Sequence, residues 1–106
     1  MTTILYRKQN NIAYVTINRE EAMNCFNYET LDELQTVTDS ISLDPEVSVV
    51  IFTGAGEKSF SSGADLKERK TLKKTEVRRN VKAIRDVFNS IASLPQPTIA
   101  AVNGYA

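Results

Sequence analysis

The sequence contains no histidine and only one cysteine, Cys25. The absence of histidine excludes Ser-His-Asp and Cys-His nucleophilic sites among these residues and removes the commonest metal ligand. A single cysteine cannot form an internal disulfide, and one cysteine without histidine does not make up a zinc ligand set, so we expect no metal. Any chemistry performed by these residues must use backbone donors, carboxylates, lysines or tyrosines.

Long hydrophobic runs are also absent from the sequence. No apolar stretch approaches the roughly 20 residues of a membrane-spanning helix, so we expect no membrane partner. The first residues show no basic segment followed by an apolar stretch, which a signal peptide would have. Together with the lone cysteine, these features favour a cytoplasmic location. A chain of 106 residues provides enough material for one small domain.

The net charge is zero, but the charges are segregated along the chain. Eight acidic residues and no lysine or arginine lie between positions 20 and 46, whereas nine basic and two acidic residues lie between positions 67 and 85. A basic RNA-binding helix is therefore one interpretation of the second segment. No stacking aromatic residue is interleaved with these charges, so we favour a solvated basic face and expect no nucleic-acid partner.

The pattern of apolar residues predicts an alternation of strands and helices. The expected strands cover residues 4–8, 12–18, 47–53 and 98–102. The last two are continuous apolar runs, typical of parallel strands covered on both faces. A helix is predicted over residues 28–42 with Asn27 as its N-cap.

A second long helix is predicted over residues 75–94. Apolar side chains recur along it at helical spacing, which predicts that they face the core: Val77, Val81, Ile84, Phe88 and Ile91.

The stretch over residues 60–68 joins a strand to a short helix, which we expect to begin near Ala64. The first backbone N–H groups of a helix have no intrahelical partner and carry a partial positive charge. Gly63 permits backbone angles and a close approach that a side chain would forbid. The stretch therefore predicts an anion or oxyanion site at the amide of Ala64, and an ordinary helix start is the alternative.

Three stretches of the chain resemble one enzyme family. Residues 60–68 (FSSGADLKE) resemble the F-[SA]-[AS]-G-A-D-[LI]-K-E signature of the crotonase superfamily, the enoyl-CoA hydratases and isomerases. Residues 18–27 resemble its N-R-P-x-x-x-N-A-[LF]-[NS] segment, and residues 97–106 resemble P-x-[IV]-A-A-V-x-G-x-A. The three motifs occur in the family's order, and the similarity covers essentially the whole chain.

The resemblance implies an α/β fold built as a crotonase-like ββα spiral. The spiral would be incomplete, with the order β-β-α-β-short α-α-β. Residues 1–106 would form the N-terminal part of a single crotonase-like domain. Family members commonly form trimers or hexamers, so a homo-oligomer is the expectation for a full-length protein.

The resemblance also implies an acyl-CoA substrate, whose thioester oxygen is held by two backbone amides while an enolate develops. Ala64 would supply the first amide. The residues that match substrate-binding positions are Cys25, Ser62, Gly63, Ala64, Asp65, Leu66 and Lys67. Coenzyme A would belong to the substrate, and no separate cofactor is expected. For Asp65 we expect a role as a helix cap rather than as a catalytic acid.

In the resembled family, the second oxyanion amide and the carboxylates that move protons lie beyond the stretch that residues 97–106 match. We therefore expect the 106 residues alone to be inactive. The alternative is a non-catalytic split or degenerate subunit that needs a partner chain. The choice between hydration and isomerisation is left open by these residues.

Overall fold

Strands and helices alternate along residues 2–106, which are the part of the chain that the computed structural model describes. In chain order the elements are β1 (Ile4–Gln9), β2 (Ile12–Ile17), α1 (Tyr28–Ser42), β3 (Val49–Gly54), α2 (Leu66–Lys70), α3 (Lys74–Ala92) and β4 (Thr98–Ala100). A 3-10 turn over Glu20–Ala22 precedes α1. This order confirms the predicted succession of elements.

The strands form one sheet in the order β1-β2-β3-β4. β1 and β2 are an antiparallel hairpin, and the φ angles of Asn10 (52°) and Asn11 (67°) are both positive, as a two-residue hairpin turn requires. β2 pairs with β3, and β3 with β4, in parallel. Parallel neighbours need crossover connections, which α1 and the pair α2–α3 provide.

Helix α1 begins and ends where the sequence predicts. The side chain of Asn27 accepts a hydrogen bond from the Thr30 N–H and caps the helix. The buried side chains of α1 form one stripe: Thr30, Leu31, Leu34, Thr38 and Ile41. This stripe joins alternate residues of the sheet, among them Val15, Val50 and Phe52, in a single core.

The prediction that β3 is covered on both faces is wrong. Val50 and Phe52 are buried, but the alternate residues Val49, Ile51 and Thr53 are only partly buried. Successive side chains of a strand point to opposite faces of the sheet. The core residues of α1 and α3 cluster with one of these faces, so the other keeps contact with solvent.

The last strand is parallel to β3 as predicted, but it is shorter than residues 98–102 and is not buried. All three residues of β4 are exposed, and Ile99 keeps 52% of its surface. β4 is the edge strand of the sheet and has a neighbour on one side only. A continuous apolar run therefore does not imply burial here.

The predicted core stripe of α3 is also partly wrong. Val81 and Phe88 are 49% and 45% exposed, whereas the buried residues of this helix are Asn80 and Val87. Ile84 and Ile91 are half-buried against the core. The stripe thus divides between core contacts and an open apolar surface.

No helix within residues 2–106 has the length and apolar character needed to cross a bilayer.

Candidate functional site

The loop between β3 and α2 contains a free backbone donor. The Ala64 N–H donates to no acceptor of residues 2–106. The amides beside it donate within the protein: Ser62 to Met23 O at 3.0 Å, Gly63 to Ser61 Oγ at 3.2 Å, and Asp65 to Phe26 O at 3.0 Å. Ala64 as a residue is half-buried.

The free amide of Ala64 follows from the way the backbone pairs at this point. Ala64 forms an isolated parallel bridge with Phe26. The Phe26 N–H donates to Gly63 O at 2.7 Å, and Phe26 O accepts from the Asp65 N–H. In such a bridge the neighbours of Ala64 make the hydrogen bonds, and its own N–H points to the opposite side.

Gly63 is needed in this loop for its backbone angle. Its φ is +92°, in a region that residues with a side chain rarely adopt. A Cβ atom added at this position would meet no other atom within 4 Å. The glycine therefore does not relieve crowding, and the space beside its own Cα is open.

The Gly63→Ala variant tests this reading of the loop. We expect it to lower the free energy of unfolding by about 1–2 kcal/mol, because alanine is strained at this φ. Urea unfolding followed by circular dichroism measures the change. Ser62→Ala, at the exposed neighbour, is the control and should stay within about 0.5 kcal/mol of the parent chain. Equal stability of the two variants would contradict the requirement for glycine.

A cavity of about 420 Å³ borders this loop. Its lining is almost entirely apolar and comes from the sheet, from α1, α3 and the loop, and from the last residue: Ile17, Phe26, Leu34, Phe52, Phe60, Ser61, Ser62, Gly63, Phe88, Ile91, Thr98, Ile99, Ala100 and Ala106. The Phe26 and Phe88 rings meet edge to face, with centroids 5.5 Å apart. This size and lining are typical of sites for small organic ligands.

Two asparagines that the sequence did not single out hold the loop in place. Asn24 is fully buried with φ +54°, and its Nδ2 donates to Ala55 O (3.0 Å) and Ser59 O (2.8 Å). Asn103 Nδ2 donates to Gly54 O at 2.9 Å. Asn24 lies within the motif over residues 18–27 and Asn103 within the motif over residues 97–106. The carbonyls to which they donate lie at least 31 positions away in the sequence, so the sequence does not show these contacts.

Arg19 is a further residue that sequence reasoning missed. Its Nη1 donates to Cys25 O at 2.9 Å and forms a salt bridge with Asp65 Oδ2 at 3.2 Å. The two charged side chains are only 15% and 13% exposed. Cys25, predicted to contact substrate, is buried, and its Sγ lies 3.3 Å from the same Nη1.

The ionisation of Asp65 and Cys25 follows from these contacts. Burial acts to raise the pKa of the Asp65 carboxyl, but the Glu68 N–H and the Arg19 guanidinium outweigh it, so this pKa lies below its ordinary value. Burial raises the pKa of the Cys25 thiol, and the Asp65 carboxylate acts in the same direction. At neutral pH, Asp65 is therefore a carboxylate and Cys25 a thiol.

The structure confirms the expected capping role of Asp65. Its Oδ1 accepts from the Glu68 N–H at 3.1 Å at the start of α2. Glu68 in turn accepts from the Tyr28 N–H at 3.1 Å at the start of α1. The remaining predicted substrate residues, Ser62, Leu66 and Lys67, are exposed on the loop and on α2.

Eight of the nine basic residues between positions 67 and 85 are exposed. Arg69 donates to the buried Asn80, with 2.8 Å between Nη2 and Oδ1, and Lys82 pairs with Asp86. Most of these charges therefore face solvent. Within the described residues, no group of three carboxylate or thiol side chains lies close enough to hold a metal ion.

A sequence model of the family described as enoyl-CoA hydratase/isomerase matches residues 7–106. The chain belongs to this family. Similar proteins include the short-chain-enoyl-CoA hydratase of Clostridium acetobutylicum, 43% identical over 106 residues, with 100% of this chain and 41% of the relative covered. The crotonyl-CoA hydratase of Syntrophomonas wolfei is 39% identical over 103 residues, with 97% of this chain and 40% of the relative covered.

Solved structures of the enoyl-CoA hydratase/isomerase family have the same fold. The enoyl-CoA hydratase of Bacillus anthracis superposes with a TM-score of 0.95 at 39% identity, covering 97% of this chain and 40% of that structure. The predicted family and the predicted crotonase-like fold are thereby confirmed. The chain spans about two fifths of the length of these relatives.

Proposed function

We propose that the chain binds acyl-CoA thioesters and that the thioester oxygen accepts a hydrogen bond from the Ala64 N–H. The observation that carries this proposal is the free Ala64 amide, which stands between amides that are all paired. The apolar cavity beside the loop offers space for an acyl chain. Family membership supplies the substrate class, since the relatives named above are enoyl-CoA and crotonyl-CoA hydratases.

The Ala64 amide would matter most when charge develops on the thioester oxygen. Formation of an enolate places negative charge on that oxygen, and a fixed N–H donor binds the charged oxygen more strongly than the neutral carbonyl. Such differential binding lowers the barrier of the chemical step. Because the named relatives are hydratases, we favour hydration over isomerisation for the reaction that this site serves.

The other proposed contacts surround the same amide. Ser62, Gly63, Asp65, Leu66 and Lys67 lie next to Ala64 in the chain and would line the path of the thioester and its coenzyme A portion. The sixth proposed contact is Cys25, which is buried and interacts with Asp65. Coenzyme A enters as part of the substrate in this proposal, without a separate cofactor.

Nuclear magnetic resonance of the chain labelled with ¹⁵N-alanine tests the proposal. The sequence has nine alanines, and an Ala64→Gly variant assigns the Ala64 signal. We expect butyryl-CoA to shift the Ala64 proton downfield, because a free N–H acquires an acceptor. The Ala55 amide already donates to Ile17 O at 2.8 Å and should not move in this way.

S-butyl-CoA, a thioether without the carbonyl oxygen, is the matched control ligand. It should bind about fivefold more weakly than butyryl-CoA, the equivalent of one hydrogen bond of about 1 kcal/mol, and should leave the Ala64 proton in place. Equal effects of the two ligands on Ala64 would refute the proposed role of its amide.

A further inference from the structure

We infer that Arg19 is a positioning residue that fixes the direction of the Ala64 N–H. This inference rests on the proposed function, because it assigns the means by which the proposed donor is held. The guanidinium joins two segments of backbone that flank the Phe26–Ala64 bridge. On one side it binds Cys25, which precedes Phe26, and on the other it binds Asp65, which follows Ala64.

The bridge itself depends on only two hydrogen bonds. The Phe26 N–H donates to Gly63 O, and the Asp65 N–H donates to Phe26 O. No regular strand continues from either residue, and the further hydrogen bonds between the two segments, Ser62 N–H to Met23 O at 3.0 Å and Ser61 Oγ to Asn24 O at 2.8 Å, lie before the bridge. The charge-assisted contacts of Arg19 add a connection at Cys25 and Asp65, the residues next to the bridge.

The burial of Arg19 and Asp65 makes their connection effective. Both side chains are largely withdrawn from solvent, so their attraction is screened less than that of an exposed pair. Asp65 also uses its second oxygen to cap α2, which fixes the carboxylate from the other side. The position of Asp65 is thus set from two directions. The Ala64 N–H lies in the Gly63–Ala64 peptide, and Arg19 reaches this peptide through Cys25: it binds Cys25 O, and the Phe26 N–H of the same Cys25–Phe26 peptide donates to Gly63 O.

Arg19 can act in this way because its own backbone is held rigidly. Its N–H donates to Asn24 Oδ1 at 2.9 Å. Its carbonyl accepts from the Ala22 N–H at 2.9 Å and from the Asn24 N–H at 2.8 Å. These hydrogen bonds and the 3-10 turn over Glu20–Ala22 thus fix the backbone of Arg19, from which the guanidinium extends to Asp65.

The test combines Arg19→Gln, Asp65→Asn and the double variant. Asparagine at position 65 still caps α2 but loses the charge that attracts Arg19. Each single change should weaken butyryl-CoA binding about fivefold and reduce the downfield shift of the Ala64 proton. The double variant should be no weaker than either single variant, because the same connection is broken in all three.

The control is Lys8→Gln, which removes the 2.9 Å ion pair between Lys8 and Asp44. This exposed pair lies outside the loop and should leave both the affinity and the Ala64 signal unchanged. If Arg19→Gln does not fold, the butyryl-CoA affinity and the Ala64 shift are compared between the parent chain, Arg19→Lys, Asp65→Asn and the double variant of these two. Rescue of the Ala64 shift by Arg19→Lys, in part but not in full, would support the need for the two-sided guanidinium contact.

Several outcomes would overturn the inference. Variants that lose stability but retain the parent affinity and the parent Ala64 shift would show that Arg19 is only a structural residue. If the losses of butyryl-CoA affinity in the two single variants add up in the double variant, the two residues act separately. If the parent chain itself shows no Ala64 shift with butyryl-CoA, the proposed function fails. The ligand-free Ala64 signal then decides the positioning role, since it should move or broaden in Arg19→Gln and not in Lys8→Gln.

Discussion

Replacing Asn24 with alanine is expected to lower the free energy of unfolding by about 3–5 kcal/mol. The side chain is fully buried and forms three hydrogen bonds with backbone groups, on Arg19, Ala55 and Ser59. Alanine would leave the Arg19 N–H and Ala55 O without these partners, whereas Ser59 O would keep the 3.2 Å hydrogen bond from Asn103 Nδ2. Each buried polar group left unpaired costs about 1–3 kcal/mol, and alanine is also strained at the positive φ of this position. Urea unfolding measures the loss.

Asn11→Ala is the matched control, because Asn11 also has a positive φ but is exposed in the hairpin turn. Asn11→Ala should lower the free energy of unfolding by only about 1 kcal/mol, which is the strain of the left-handed backbone alone. The nearly isosteric Asn24→Asp should lower the free energy of unfolding at neutral pH by at least as much as Asn24→Ala. It would place carboxylate oxygens next to the carbonyl oxygens of Ala55 and Ser59. Losses of similar size in the Asn24 and Asn11 variants would contradict the role of the buried network.

The parts of the fold that were predictable from sequence are those set by local signals. The cap at Asn27 and the extent of α1 depend on residues a few positions apart. The cap of α2 by Asp65 belongs to the same group. Such signals are present in the sequence itself, so the positions of the elements follow from it.

Burial was less predictable, because it depends on what covers a surface. The apolar runs in β4 and α3 show that Ile99, Val81 and Phe88 suit an interior, yet all three are exposed within the described residues. Periodicity identifies an apolar face without identifying the element that packs against it. Phe88 illustrates the point, since it contacts the core through Phe26 and also lines the cavity.

The sequence indicates Ala64 as a candidate donor but not the side chains that hold the loop around it. The prediction of a helix that begins near Ala64 is wrong, since α2 begins at Leu66 after the cap Asp65; the Ala64 N–H is free because its neighbours make the hydrogen bonds of the Phe26–Ala64 bridge. Arg19 could not be singled out, because its partner Asp65 lies 46 positions away in the sequence. A polar residue in an irregular loop has many possible partners, and only the folded chain selects one.

The second large effect concerns catalysis: the 106-residue chain alone is expected to hydrate crotonyl-CoA at least about 10,000-fold more slowly than its full-length relatives. Loss of one oxyanion donor typically costs about 100- to 1000-fold, and loss of a positioned acid or base costs about 100- to 10,000-fold. Loss of absorbance of the conjugated thioester measures the rate, with the Clostridium acetobutylicum hydratase assayed under the same conditions as the reference.

We do not expect the carboxylates next to Ala64 in the chain to act as the acid and base of hydration, because both are already engaged. Asp65 accepts from Arg19 and from the Glu68 N–H, and its lowered pKa keeps it from donating a proton at neutral pH. Glu68 accepts from the Tyr28 N–H. Turnover within about 100-fold of the reference that also disappears in Gly63→Ala would contradict this account and would mean that the chain supplies its own acid and base. Turnover that is the same in Gly63→Ala would come from a contaminating hydratase, and the expected inactivity of the chain would stand.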